Sequence, residues 1–140
     1  MPPVDYLAVL IAAVASMIIG YVWYGPLFGK QWMKLSGVTQ GDIEAGKKDM
    51  PKTYGLMYIS AAVMAYVLSA FIYYAGATDM VAGAMVGFWA WLGFVATVLL
   101  GGVLFEKKSL DLYYLNSGYN LVTLVVMGAI IAAMGSGAAY

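Results

Sequence analysis

Residues 6–24, 54–75, 80–105 and 112–134 form four apolar stretches without a charged side chain, and all seven basic residues fall between them. A membrane-crossing helix needs about 20 mostly apolar residues. Each stretch is long enough, so the expected fold class is all-α: a polytopic membrane protein built as a bundle of four transmembrane helices. The stretches consume most of the 140 residues, which implies a single four-span membrane domain over 1–140. Composition agrees, since 64% hydrophobic and 10% charged residues with a mean hydropathy of +0.84 suit lipid better than water as solvent. The first stretch reads as a retained span rather than a secretory signal, because no basic residue precedes it and it exceeds a signal's apolar region.

Lys30, Lys34, Lys47, Lys48 and Lys52 follow the first stretch, and Lys107 and Lys108 follow the third. Lysines in short loops mark the cytoplasmic side. Loops 25–53 and 106–111 are therefore expected in the cytoplasm and both termini outside it, in a cell (inner) membrane. The lipid bilayer is the first partner, and a net charge of zero argues against nucleic acid. Cysteine, histidine and arginine are missing from the sequence. Without Cys or His the usual ligands for zinc, copper, haem and iron-sulfur clusters are lacking, so neither a metal nor a cofactor is expected. No nucleophile-base pair is visible either, which argues against an enzyme. Asp5, Asp79 and Asp111 stand at the starts of spans, where a carboxylate can cap free N–H groups and meet the positive end of the helix dipole. No carboxylate lies inside a span, where ion-coupled transporters usually keep one.

The first loop carries two helix signals. Gly25-Pro26 should end the first helix, with Pro26 opening a short helix over 26–36. In it Leu27, Gln31 and Leu35 share one face with Phe28 and Trp32 beside them, while Lys30 and Lys34 lie on another, as in a helix resting in the membrane interface. Gly37 is its expected stop. Thr39 with Asp42 three residues on has the pattern of a capping box for a short solvated helix over 40–49.

Three runs carry a family resemblance: residues 5–10 (Asp-Tyr-Leu-Ala-Val-Leu), 20–32 (Gly-Tyr-Val-Trp-Tyr-Gly-Pro-Leu-Phe-Gly-Lys-Gln-Trp) and 113–119 (Tyr-Tyr-Leu-Asn-Ser-Gly-Tyr). Together they resemble domain-of-unknown-function family 1761, short four-span membrane proteins that are mostly bacterial. The resemblance covers nearly the whole chain and implies a fold and a membrane location, without an activity.

Small residues recur at four-residue spacing in every span: Ala8, Ala12, Ser16 and Gly20; Ala61, Ala65 and Ser69; Gly83 and Gly87, then Gly93, Thr97 and Gly101; Gly128, Ala132 and Ser136. Such ridges let helix backbones approach in lipid, where no hydrophobic effect draws helices together. Some could pack between subunits, so a homo-oligomer or a place in a larger membrane complex is expected. On the fourth span Tyr113, Asn116, Asn120, Thr123 and Met127 fall within an arc of roughly 80°. This polar stripe is either a seam of interhelical hydrogen bonds or the lining of a pocket. Trp89 and Trp91 lie deep in the third span and differ by about 200° around its axis, so only one can face the bundle. Its indole N–H then needs an acceptor, for which Ser16 and Thr123 are at suitable depth. The sharper alternative is an aromatic pocket of Trp89, Trp91, Phe94 and Tyr119.

These features favour a structural or accessory membrane protein acting through helix contacts or self-association. The alternative is a small channel or facilitator for a neutral or weakly polar solute, through the bundle or along an oligomer axis. For topology, single cysteines at Pro3 and Lys48 should react oppositely with an impermeant reagent added outside. Labelling at Pro3 alone is expected; labelling at Lys48 alone reverses the orientation.

Overall fold

The computed structural model describes residues 3–135, and among them every regular element is a helix. The first, α1 (Tyr6–Val22), starts at Asp5, whose carboxylate accepts from the Leu7 and Ala8 amides at 3.1 and 3.2 Å. It does not stop at Pro26. The helix widens into a π turn, Trp23–Leu27, and the Phe28 amide donates to the Trp23 carbonyl five residues back at 2.9 Å. A proline inside an α-helix lacks the N–H and crowds the carbonyl four residues earlier; a wider turn accommodates both, so the break moves to Phe28. The interfacial helix accordingly begins three residues later than expected, as α2 (Gly29–Ser36). Gly29 permits the corner, because a Cβ there would sit 2.7 Å from the Tyr24 carbonyl oxygen. Gly37, at φ 78°, closes α2 in the left-handed conformation.

The Thr39–Asp42 capping box forms, with the Asp42 amide on the Thr39 hydroxyl at 3.1 Å and the Thr39 amide on the Asp42 carboxylate at 3.0 Å. It opens α3 (Gln40–Ala45), which passes through a 3-10 turn, Gly46–Asp49, straight into α4 (Met50–Ala75). Pro51 sits in the first turn of α4, where its missing N–H costs nothing. Helical structure thus extends below the expected start of the second span. The third span is α5 (Met80–Trp91), a π turn at Leu92–Ala96, and α6 (Thr97–Phe105); Asp79 caps α5 through the Ala82 amide at 2.8 Å. At the far end Lys107 takes a left-handed φ of 58°, and the Lys108 amide closes on the Gly102 carbonyl at 3.1 Å. The last helix, α7 (Leu110–Gly135), is capped by Ser109, whose hydroxyl accepts from the Leu112 amide at 3.0 Å. Asp111, expected as that cap, lies within the first turn and meets only the helix dipole.

Four of these helical stretches are long and apolar enough to cross a membrane: Tyr6–Leu27, the long helix Gln40–Ala75, Met80–Phe105 and Leu110–Gly135. Packing centres on α7, which lies along α5, α1 and α4, while α1 also lies along α4. The buried core where they meet includes Ala12, Ala65, Leu68, Ile72, Met127 and Ile131. The ridges of α1 and α4 are mostly inside, with Ala8, Ala12, Ala65 and Ser69 all within 1% of full burial. The closest approach is between α5 and α7. A Cβ on Gly83 would overlap the Gly128 carbonyl and the Ala132 side chain, and one on Gly87 would overlap the Leu124 carbonyl. Ser136, expected to extend the α7 ridge, lies outside the described residues. On the third span the second row behaves differently, since a Cβ on Gly93 or Gly101 would meet nothing within 4 Å.

Gly83→Val should therefore lower stability by about 1–3 kcal/mol, the usual range for overpacking, whereas Gly101→Ala should hold or raise it. Unfolding of both variants in the same detergent measures the difference. Equal stability of Gly83→Val and the parent would mean that α5 and α7 are not in backbone contact.

Candidate functional site

The polar stripe of α7 is divided among its neighbours. The Tyr113 hydroxyl donates to the Ala96 carbonyl at 2.9 Å, and the Thr97 hydroxyl donates to the Gly93 carbonyl at 2.7 Å. Both carbonyls belong to the π turn of the third span, where the regular i to i−4 ladder is interrupted. Asn116 accepts from the Tyr24 hydroxyl at 2.7 Å, a bond from the π turn of the first span to the fourth helix. Asn120 instead donates to the Asn116 carbonyl at 2.9 Å, within its own helix. Thr123 is buried, and its hydroxyl, like those of Ser69 and Ser117, has no hydrogen-bond partner. Met127 is fully buried core. The interhelical seam is thus made by Tyr113 and Asn116, and Asn120 contributes no bond between helices.

The two deep tryptophans separate as their spacing requires. Trp89 is 60% exposed on the outer surface. Trp91 turns inward, and its indole N–H donates to the Ser117 backbone carbonyl at 2.8 Å rather than to Ser16 or Thr123. The expected pocket of Trp89, Trp91, Phe94 and Tyr119 is not assembled. Phe94 is 66% exposed and packs on Phe71 at 6.2 Å between ring centroids, while Tyr119 lies against Trp23 and Tyr24 of the first span. The reason is geometric: Ser117 and Tyr119 differ by about 200° around α7, so a helix that offers Ser117 to α5 turns Tyr119 toward α1.

What the fold does assemble is an aromatic cluster around the first π turn. The Trp23 indole N–H donates to the Leu115 carbonyl at 3.1 Å, and its ring covers Gly118, where a Cβ would lie 3.3 Å from it. Tyr24 meets Tyr119 at 5.1 Å and 63° and Trp32 at 5.7 Å and 72°; Trp23 meets Phe28 at 4.7 Å. Gly20 leaves room for Tyr119, whose hydroxyl oxygen would be 3.1 Å from a Cβ at that position. Residues 20–32 and 113–119 are therefore packed face to face. The amphipathic pattern of α2 is realised in part: Lys30 and Lys34 are exposed and Phe28, Trp32 and Leu35 half-buried, but Leu27, expected on the apolar face, lies in the π turn before α2 and is exposed, as is Gln31. One groove flanks α2 on each side. A cavity of about 660 Å³ opens between α1, α2 and α4, and one of about 490 Å³, bordered by Lys34, Gln31 and Asp111, opens toward α7.

Trp23 and Tyr24 as polar partners of α7 were not singled out by sequence. The available signal was that a Tyr hydroxyl and an Asn amide in hydrocarbon each need a partner; the pairing itself spans 92 positions. Among the described residues, no three His, Cys, Asp or Glu side chains come together as a metal site.

A family model described as a protein of unknown function (DUF1761) matches residues 7–132, from the first turn of α1 nearly to the end of α7. No curated protein and no solved structure matches the chain.

The seam can be measured directly. A double-mutant cycle of Tyr24→Phe with Asn116→Ala should give a coupling of about 0.6 kcal/mol, the average for hydrogen bonds between membrane helices, and no more than about 1.7. The same cycle with Asn120→Ala should give none. Coupling to Asn120 instead of Asn116 would refute the assignment.

Proposed function

The chain belongs to the DUF1761 family, whose description names no activity, and from its helix surfaces we propose a structural or accessory membrane protein that acts through helix contacts, with a second copy of itself as first partner. The observation that carries this reading is the third span. Only 6% of its most apolar window is buried, against 28%, 33% and 39% for the other spans. Along that exposed helix run Gly93, Thr97 and Gly101, with open space above both glycines. The Thr97 hydroxyl is already bonded to the Gly93 carbonyl, so the row presents a small surface with little unmet polarity. Such a row lets a second helix come close enough for dispersion and Cα–H contacts to hold it.

The interior supports this reading over a channel or facilitator for a weakly polar solute through one copy. Ile72, Met127 and Ile131 are no more than 1% exposed where the helices meet. Tyr113 and Asn116 of the stripe, and Trp91 of the third span, are engaged with neighbouring helices, so these polar groups serve packing.

The chain contains no cysteine, which makes the test simple. Thr97→Cys, oxidised in lipid vesicles at high dilution of protein, should give a disulfide-linked dimer, and adding Gly101→Leu should reduce it several-fold. Ile18→Cys, also exposed but on the first span, should stay monomeric. No dimer from Thr97→Cys, or equal yields at both positions, would remove the basis for self-association through this face.

A further inference from the structure

The cavity of about 660 Å³ between α1, α2 and α4 has a chemistry that the helix-contact reading does not use. Five aromatic rings line it, those of Tyr21, Tyr24, Trp32, Tyr54 and Tyr119, and no charged side chain does. The rings do not form a flat stack. Tyr24 stands at 72° to Trp32 and at 63° to Tyr119, so the three make a corner whose faces point in different directions. Tyr21, 73% exposed, and Tyr54, 51% exposed, stand at the mouth. They lie near the ends, closest to the lysines, of the apolar stretches 6–24 and 54–75, at the level where aromatic side chains meet lipid headgroups.

We propose that this groove binds the head of a quaternary-ammonium amphiphile, with the alkyl chain leaving between Tyr21 and Tyr54 along the lipid-facing surface of α1 and α4. A ring face is negative and a ring edge positive, so rings inclined around one volume can turn faces to a cation there without any carboxylate. A quaternary ammonium is the cation that fits, because it is large, weakly hydrated and has no N–H to satisfy. Small metal ions and primary ammonium groups would lose strong hydration for no oxygen ligand. An anionic head has no basic partner here; Lys34 borders the groove on the other side of α2, and Lys108 a cavity between the third and fourth spans. Gly20 contributes by omission, since its missing side chain lets Tyr119 stand at the back of the groove. The proposal is independent of self-association, which uses the third span.

The test uses the full chain in maltoside micelles and dodecyltrimethylammonium as probe, followed by calorimetry against empty micelles. Saturable binding is expected, at least tenfold weaker for the uncharged analogue in which carbon replaces the quaternary nitrogen. Tyr54→Phe, which keeps the ring face, should hold affinity within about twofold, while Tyr54→Leu and Trp32→Leu should each weaken it by roughly fivefold or more. Tyr54 lies at the exposed mouth, so its truncation keeps the test valid if the Trp32 variant fails to fold. Equal affinity for the uncharged analogue, or undiminished binding in Tyr54→Leu, overturns the proposal. Displacement of the probe by short-chain phosphatidylcholine would assign the head to a lipid, and binding unaffected by it would assign a free-standing cation; both outcomes keep the ring cage.

Discussion

Backbone meets backbone where Gly83 and Gly87 of α5 lie on Leu124 and Gly128 of α7, and the rest of the bundle is arranged around that contact. In lipid no apolar surface is driven out of water when helices associate, so attraction must come from atoms brought very close and from polar groups paired between helices. The glycine contact supplies the first and positions the second. With α5 seated on α7, the Trp91 indole reaches the Ser117 carbonyl, and further along the span Tyr113 reaches the π turn at Ala96. Side chains larger than hydrogen at Gly83 would separate the axes and lengthen both bonds.

The two π turns answer a related constraint. Each span that contains one uses it to offer backbone acceptors or to redirect the chain without leaving the helix. At Leu92–Ala96 two carbonyls receive hydroxyl donors. At Trp23–Leu27 the turn absorbs Pro26 and aims Trp23 and Tyr24 at successive carbonyl and amide oxygens of Leu115 and Asn116. Two of the three runs that carry the family resemblance, 20–32 and 113–119, are the two halves of this one contact. Its rings also form the walls of the α1–α2–α4 groove.

How much of this could be read beforehand follows from the range of the forces involved. Span number depends on the apolarity of single continuous stretches, and the capping of α1 and α5, the stop at Gly37 and the Thr39 box on residues within a turn of each other; all were legible. So was the division of Trp89 from Trp91, which follows from helical geometry alone. The partner of Trp91 was not, because a backbone carbonyl leaves no mark in a sequence. The pocket of Trp89, Trp91, Phe94 and Tyr119 is not legible because residue type does not decide which side of α7 faces which helix; that depends on the glycine contact. Pro26 misled for another reason, since a proline reads as a helix end and a π turn can carry the chain past it.

The contact between the first π turn and α7 also has a consequence for biosynthesis. Trp23 and Tyr24 find their acceptors 92 positions later in the chain. At a synthesis rate of ~5–20 residues per second, roughly 5–20 s separate the two halves. Late in that interval, once α4 has been made, α1 and α4 can close on their alanine ridges, while an indole N–H and a phenol remain at the interface with only water and headgroups as partners. The last helix to be made is thus the one that completes the first, and a chain released before Asn116 would leave its own beginning unfinished.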